Sequence, residues 1–265
     1  MMKQEKVIDI RGRRMGGATP LICSPLVART PDRLAAEAAA VLAKRPDVIE
    51  WRVDFFEKIA ETTAVLASGR ALRAAAGETP IIFTCRAAHE GGQPIPLDAE
   101  GVTRLYDAVG SAGLVDFIDF ELSNPAPLVR RVRERTREQN TRLILSYHNF
   151  GYTPGHDLLV ERFLEADRLG ANVAKVAAMP RDRADVLTLL AATATADAKA
   201  RIPLISMSMG PLGVTTRMVG GVFGSSLSFA VGEGASAPGQ PPIADLAAVF
   251  GALARARGAD RKSGV

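Results

Sequence analysis

Aromatic residues make up only 5% of this 265-residue chain, with a single tryptophan among them. Cysteine occurs twice, at Cys23 and Cys85, each inside an apolar, strand-like run. These read as buried free thiols of a cytoplasmic protein, and their spacing offers no metal site. No apolar run approaches the roughly 18 residues of a membrane-spanning helix. The charged, alternating residues 1–14 hold no signal-peptide core. No Gly-x-Gly-x-x-Gly turn follows the first strand-like run, which argues against a doubly wound, dinucleotide-binding sheet. The net charge is +4 and the pI about 9.3. Much of that excess lies in residues 130–137, Arg-Arg-Val-Arg-Glu-Arg-Thr-Arg, which read as the solvated face of a helix. No nucleic-acid motif accompanies them, so neither nucleic acid nor membrane is expected as a partner.

What the chain does have is a regular alternation. It is 47% hydrophobic and 23% charged, ample for one large core. Strand-like runs fall at residues 21–28, 47–54, 80–86, 117–122, 142–148, 172–179, 203–210 and 226–231. Most are apolar on both faces, as strands of a covered parallel sheet should be. Helical patterns separate them. Thr30-Pro31-Asp32 supplies an N-cap and a proline at the first helical position, leading into residues 34–44. Residues 157–169 place Leu159, Phe163, Ala166 and Leu169 on one stripe, ending at Gly170. Residues 243–257 form a final amphipathic helix. Eight such units predict an α/β fold: one (β/α)8 TIM barrel over residues 1–265. Residues 1–20 are an N-terminal extension, read as a short hairpin closing the barrel floor, and residues 258–265 a flexible tail.

Lys175 stands out, because residues 172–179 around it are otherwise apolar. An ammonium there must be paired, or desolvated and partly neutral. A lysine paired to a carboxylate supports the core; a desolvated lysine is a nucleophile toward carbonyls. Other polar residues gather where a barrel keeps its chemistry, at the C-terminal strand ends. Glu50 and Arg52 share a face; Arg86 runs into His89 and Glu90; Asp119 and Glu121 share a face; so do Ser146 and His148. Arg217 follows the seventh strand, and Ser236-Ala-Pro-Gly-Gln240 follows the eighth. Singly, each has a plain explanation. Glu50 and Arg52 could be a structural ion pair, and His148 a hydrogen-bonded core residue. His89 and His156 read as loop residues, Met207 and Met209 as interior packing. Residues 220–224, Gly-Gly-Val-Phe-Gly, could cradle a phosphate but fit a tight turn better. Together on one rim, the ionisable groups are hard to explain as packing. A lysine imine is an electron sink, a histidine can move an α-proton, and guanidinium groups grip carboxylates. The set suggests metal-free imine chemistry on a small anionic keto compound.

Taken in order, Glu50-Trp-Arg-Val-Asp54, Phe83-Thr-Cys-Arg86 with Glu90-Gly-Gly, Ser146-Tyr-His148, Ala174-Lys175-Val176-Ala177 and Ser236-Ala-Pro-Gly-Gln240 resemble the type I 3-dehydroquinate dehydratase family. The resemblance implies a barrel lyase of the shikimate pathway, homodimeric and cofactor-free, acting on 3-dehydroquinate. It implies that Lys175 forms a Schiff base with the C3 ketone. His148 would remove the C2 proton and return it to the C1 hydroxyl, with Glu90 orienting His148. Arg217, Ser236 and Gln240 would hold the carboxylate and ring hydroxyls. Glu50, Arg52 and Arg86 would bind the remaining hydroxyls and steady the charges near the imine. Residues 232–239, rich in Gly and Ala, suit a lid. Two positions depart from the family pattern: Asn149 stands where an aspartate is common, and Ser24 and Pro25 compete for one first-strand position. A class I aldolase, with residues 220–224 on a phosphate, and a non-catalytic metabolite sensor are the alternative readings.

Overall fold

A computed structural model describes residues 6–258. Apart from Gly258, the expected tail lies outside the described residues. The chain opens with an antiparallel hairpin, β1 (Ile8–Ile10) and β2 (Arg13–Met15). Eight strand–helix units follow. They are β3 (Leu21–Leu26) and α1 (Pro31–Ala43), β4 (Val48–Arg52) and α2 (Thr62–Ala76), β5 (Ile81–Thr84) and α3 (Ala99–Ser111), and β6 (Phe117–Glu121) and α4 (Ala126–Glu138). Then come β7 (Arg142–Asn149) and α5 (His156–Arg168), β8 (Val173–Ala178) and α6 (Arg183–Lys199), β9 (Leu204–Ser208) and α7 (Gly210–Val219), and β10 (Leu227–Phe229) and α8 (Ile243–Ala256).

All eight expected strands form, in parallel and in sequential order, with β10 beside β3. The ring closes between β9 and β10, where the Ser226 amide donates to the Leu204 carbonyl at 2.7 Å. Local signals set the helix starts. Thr30, Asp98 and Asp182 each accept a backbone N–H from the first turn of α1, α3 and α6. On α4, Arg130, Arg131, Arg135 and Arg137 are exposed while Leu128, Val129, Val132 and Thr136 are buried, so the basic run is a solvated face. Among the described residues no helix is long and apolar enough to cross a membrane.

The hairpin closes the floor. Met15 is fully buried against the inward residues Leu21, Val48, Ile82, Phe117 and Val173, with Ile8 and Ile10 packed beside it. Arg11 pairs with Asp116 at 2.6 Å and Arg13 with Asp47 at 3.4 Å, fixing the hairpin to the segments that enter β6 and β4. Residues 220–224 also lie at this end, just before β10. A Cβ on Gly221 would sit 2.2 Å from the Pro20 ring, and Gly224 has φ +107°. The stretch is a close-packed turn at the end opposite the polar rim, so the phosphate cradle of the aldolase reading does not form.

Outside the barrel, five of the fourteen aromatics form one continuous ladder. Trp51 meets Phe56 and Phe83 edge-on, Phe83 meets Tyr106, and Tyr106 meets Phe120, with ring centroids 5.3–5.9 Å apart. The Tyr106 hydroxyl donates to the Asp119 carbonyl at 2.8 Å and accepts from the Cys85 amide at 2.9 Å. The ladder therefore ties β4, β5 and β6 to α3, and Trp51 fixes the strand position from which Glu50 and Arg52 point inward. Trp51→Ala is expected to cost about 3–5 kcal/mol of stability, the range for emptying a buried aromatic site, read from the urea midpoint. A loss below about 1 kcal/mol would show that the site collapses freely.

Candidate active site

Ascending the five strands β4 to β8, the inward positions change from apolar to polar. Val48 gives way to Glu50 and Arg52, Ile82 to Thr84 and Arg86, Phe117 to Asp119 and Glu121, Ile144 to Ser146 and His148, and Val173 to Lys175. Strand periodicity keeps each series on one face, and the parallel register sets neighbouring series side by side. The lower half of the barrel is thus a dry packing zone, and the upper half a dense cluster of charge.

Lys175, 5% exposed, lies at the centre of that cluster. Its Nζ donates to Asp119 Oδ2 at 2.8 Å, stands 3.5 Å from Glu50 Oε1, and lies 4.6 Å from the Phe229 ring centre. The lysine is therefore both paired and facing the pocket. Asp119 is shared: Arg86 pairs with Oδ1 at 2.8 Å, and the Ser146 hydroxyl donates to Oδ1 at 2.6 Å. Burial raises a carboxyl, but Arg86 and Lys175 overcome it and hold Asp119 far below the usual carboxylate range. Arg86 extends the network to Glu121 and Ser146, both at 2.8 Å. Glu50 accepts from the Thr84 hydroxyl at 2.9 Å. The Glu50–Arg52 ion pair does not form. Arg52 instead grips Asp54 with two bonds of 2.8 Å, because the turn after β4 brings Asp54 back beneath the guanidinium.

His148 is the penultimate residue of β7, diagonal to Lys175 on β8. Its Nδ1 lies 2.9 Å from Glu90 Oε2, and its backbone amide donates to the same oxygen at 2.9 Å. With Glu90 ionised, this bond places the proton on Nδ1 and leaves Nε2 as the free base position. Burial, reinforced by Arg86 and Lys175, holds the imidazole well below its ordinary value, so it is neutral at pH 7. Burial likewise raises Glu90. The Glu90-Gly-Gly sequence has a steric cause. Gly91 has φ +85°, and a Cβ there would lie 2.2 Å from the Phe150 ring; one on Gly92 would lie 1.8 Å from the Arg86 carbonyl oxygen. Only a glycine pair lets the chain fold back and deliver Glu90 to His148.

Arg217 differs from its neighbours. It is 1% exposed and, among the described residues, pairs with no carboxylate. Its Nη2 donates to the Pro238 carbonyl at 3.3 Å, its Nη1 approaches the Met207 sulfur at 3.3 Å, and its Nε finds no partner. Burial alone pushes it down to about 10, so it remains a cation at pH 7. The loop after β10 covers it. The Ser236 carbonyl accepts from Arg52 at 3.3 Å, and Ser236 and Gln240 hydrogen-bond each other at 3.1 Å. Residues Glu50, Arg52, Arg86, Glu90, His148, Lys175, Arg217, Ser236 and Gln240 all line one pocket, shared with Phe150 and Phe229.

The sequence reading left Asp119 out of the site. Its signal was present, since Asp119 and Glu121 alternate on one face of an apolar strand, but nothing local tells which cation they meet. The two departing positions face elsewhere. Asn149 Oδ1 accepts the amides of Gly151 and Tyr152 at 3.0 and 2.9 Å, capping the turn outside the pocket. Ser24 faces outward; a Cβ on Gly232 would touch both it and Val41 at 2.6 Å. His156 bonds Asp157 and Thr195, away from the pocket lining. Among the described residues no group of three or more His, Cys, Asp or Glu is placed to hold a metal ion.

Fold and site together define a (β/α)8-barrel enzyme whose mouth is built around a buried lysine and a neutral histidine. Residues 22–256 match the family model for type I 3-dehydroquinase. The chain is 51% identical to a 3-dehydroquinate dehydratase of Albidiferax ferrireducens over 97% of its length and 98% of the relative's. Its fold matches that of the Geobacillus kaustophilus 3-dehydroquinate dehydratase with TM-score 0.93 at 44% identity, covering 94% of this chain and 97% of that one. The Clostridium difficile type I 3-dehydroquinate dehydratase, solved with covalent modified comenic acid, matches with TM-score 0.92 at 33% identity, covering 96% and 100%. The chain belongs to the type I 3-dehydroquinase family.

Asp119→Asn is expected to lower stability by about 3–5 kcal/mol at pH 7, because it strands two buried cations. A carboxylate depressed in the fold stabilises above its unfolded value, near 4, and loses that contribution progressively as the pH falls below it. Urea midpoints from pH 7 to 2.5 should therefore fall less steeply in the variant than in the wild type. Parallel curves would show that Asp119 carries no linked proton.

Proposed function

We propose that this chain dehydrates 3-dehydroquinate to 3-dehydroshikimate, a hydro-lyase step of the shikimate pathway, through a Schiff base on Lys175. The observation that carries the mechanism is the adjacency of Lys175 on β8 and His148 on β7, with Glu90 occupying Nδ1. The Lys175 amine adds to the C3 ketone, and loss of water gives an iminium. That cation makes the C2 proton acidic. His148 Nε2 removes it, the electron pair becomes an enamine, and collapse of the enamine expels the C1 hydroxyl. The imidazolium returns the proton to that oxygen, so the group leaves as water. Hydrolysis of the imine frees the product and restores the lysine.

The remaining side chains take supporting roles in this reading. Asp119 and Glu50 hold Nζ in place and offer negative charge to the iminium. Arg217, a buried cation without a carboxylate of its own, is matched to the substrate carboxylate. Ser236 and Gln240 meet the ring hydroxyls from the loop, and Arg52 and Arg86 steady the charges around them. The whole activity resides in one domain, residues 1–265, acting without cofactor as a cytoplasmic homodimer. The metabolite-sensor alternative is disfavoured because both lysine and histidine are retained with their partners. The aldolase alternative has lost its phosphate cradle.

Borohydride added with 3-dehydroquinate should inactivate the protein and leave ligand mass on Lys175. Intact turnover with an unmodified Lys175 would rule out the imine. His148→Ala should lower turnover roughly a hundred- to ten-thousand-fold, followed by the ultraviolet rise of the conjugated enone, yet still allow some trapping on Lys175. Wild-type turnover in that variant would remove His148 from the mechanism.

A further inference from the structure

Beyond the residues that line the pocket, the base is backed by a strut that reaches the surface. Glu90 uses Oε2 for His148, and its other oxygen, Oε1, accepts from the Ser123 hydroxyl at 2.6 Å. Ser123 follows β6, is solvent-exposed, and lies outside the pocket lining. Its oxygen in turn lies 3.2 Å from Nε2 of the exposed His89. Since Ser123 has one proton and gives it to Glu90, the His89 ring nitrogen is the donor in that contact. Every hydrogen bond in the row thus points inward toward Glu90.

We propose that Ser123 is a positioning residue of the general base, holding Glu90 in the single orientation that accepts the Nδ1 proton of His148. The inference rests on the dehydratase reading. Two constraints make the hydroxyl matter. Glu90 is nearly buried, so without a donor on Oε1 half of its carboxylate would be desolvated and unpaired. And the donor on Oε1 keeps that oxygen as an acceptor; a proton on Oε2 would turn it into a donor toward Nδ1, driving the imidazole proton onto Nε2 and blocking the base.

The groups facing Glu90 are Arg86 on its own strand exit, Glu121 from β6, His148 from β7 and His89 beside it. Burial and Glu121 raise Glu90; Ser123, Arg86 and the His148 amide lower it. Burial lowers His148 at the same time. Glu90 and His148 share one hydrogen bond, so they take up a proton as a pair, and the acid limb of turnover reports the ionisation of that pair. Loss of the Ser123 donor moves that limb to higher pH.

The test is the pH profile of kcat for the full chain with 3-dehydroquinate, in wild type, Ser123→Ala and Ser123→Thr. Ser123→Ala should lower kcat near neutral pH about ten-fold, shift the acid limb upward by about one pH unit, and leave KM and borohydride trapping on Lys175 near wild type. Ser123→Thr, which keeps the hydroxyl, should restore both rate and limb. An acid limb in Ser123→Ala that coincides with wild type overturns the proposal, as does a uniform loss of rate at every pH. A wild-type chain without dehydratase turnover would instead overturn the underlying reading, and the two failures are distinguishable.

Discussion

The upper half of this barrel is organised by one carboxylate. Asp119 sits between Lys175 and Arg86 with Ser146 closing its remaining approach. An ammonium and a guanidinium cannot share a dry space unless a negative charge stands between them. Placing that charge on the fourth barrel strand fixes where β5 and β8 direct their cations. The arrangement also holds Nζ at one point in space. The position of the amine is therefore set before any ligand arrives.

Around that centre the charges are divided unequally, and the inequality has meaning. Arg52 and Arg86 have carboxylates of their own, at Asp54 and at Asp119 and Glu121. Among the described residues Arg217 has only a carbonyl and a thioether sulfur, although it is as deeply buried. A protein tolerates such a group where a ligand completes it. His148 shows the opposite solution. Its two positive neighbours and its burial disfavour the imidazolium, while Glu90 favours it, so the ring is neutral at rest yet able to accept a proton.

The fold was readable because its signals are local and repeated. Strands apolar on both faces, a cap such as Thr30-Pro31, and helices with one apolar stripe are each set within about a dozen residues. Lys175 was readable for the same reason, as a charge in an apolar strand. Pairing was not. Glu50 and Arg52 share a face two residues apart, yet the backbone turn at residues 53–55 gives Arg52 to Asp54 and leaves Glu50 to Thr84 and Lys175. Asp119 was visible as an alternating acid but its partners are 33 and 56 residues away in sequence. Such choices depend on the register between strands, which no short stretch encodes. Asn149 was noticed as a missing charge beside the base; its side chain in fact faces the turn it caps.

The N-terminal hairpin gives the enzyme a geometry of traffic. Met15 and the ring of apolar residues above it fill the barrel floor like a cork. With the floor filled in this way, a ligand approaches the pocket from the mouth, which the loop carrying Ser236 and Gln240 borders. A ligand that reaches Arg52 and Arg217 from the mouth therefore meets the carbonyl contacts that the loop makes with them, from Ser236 and Pro238.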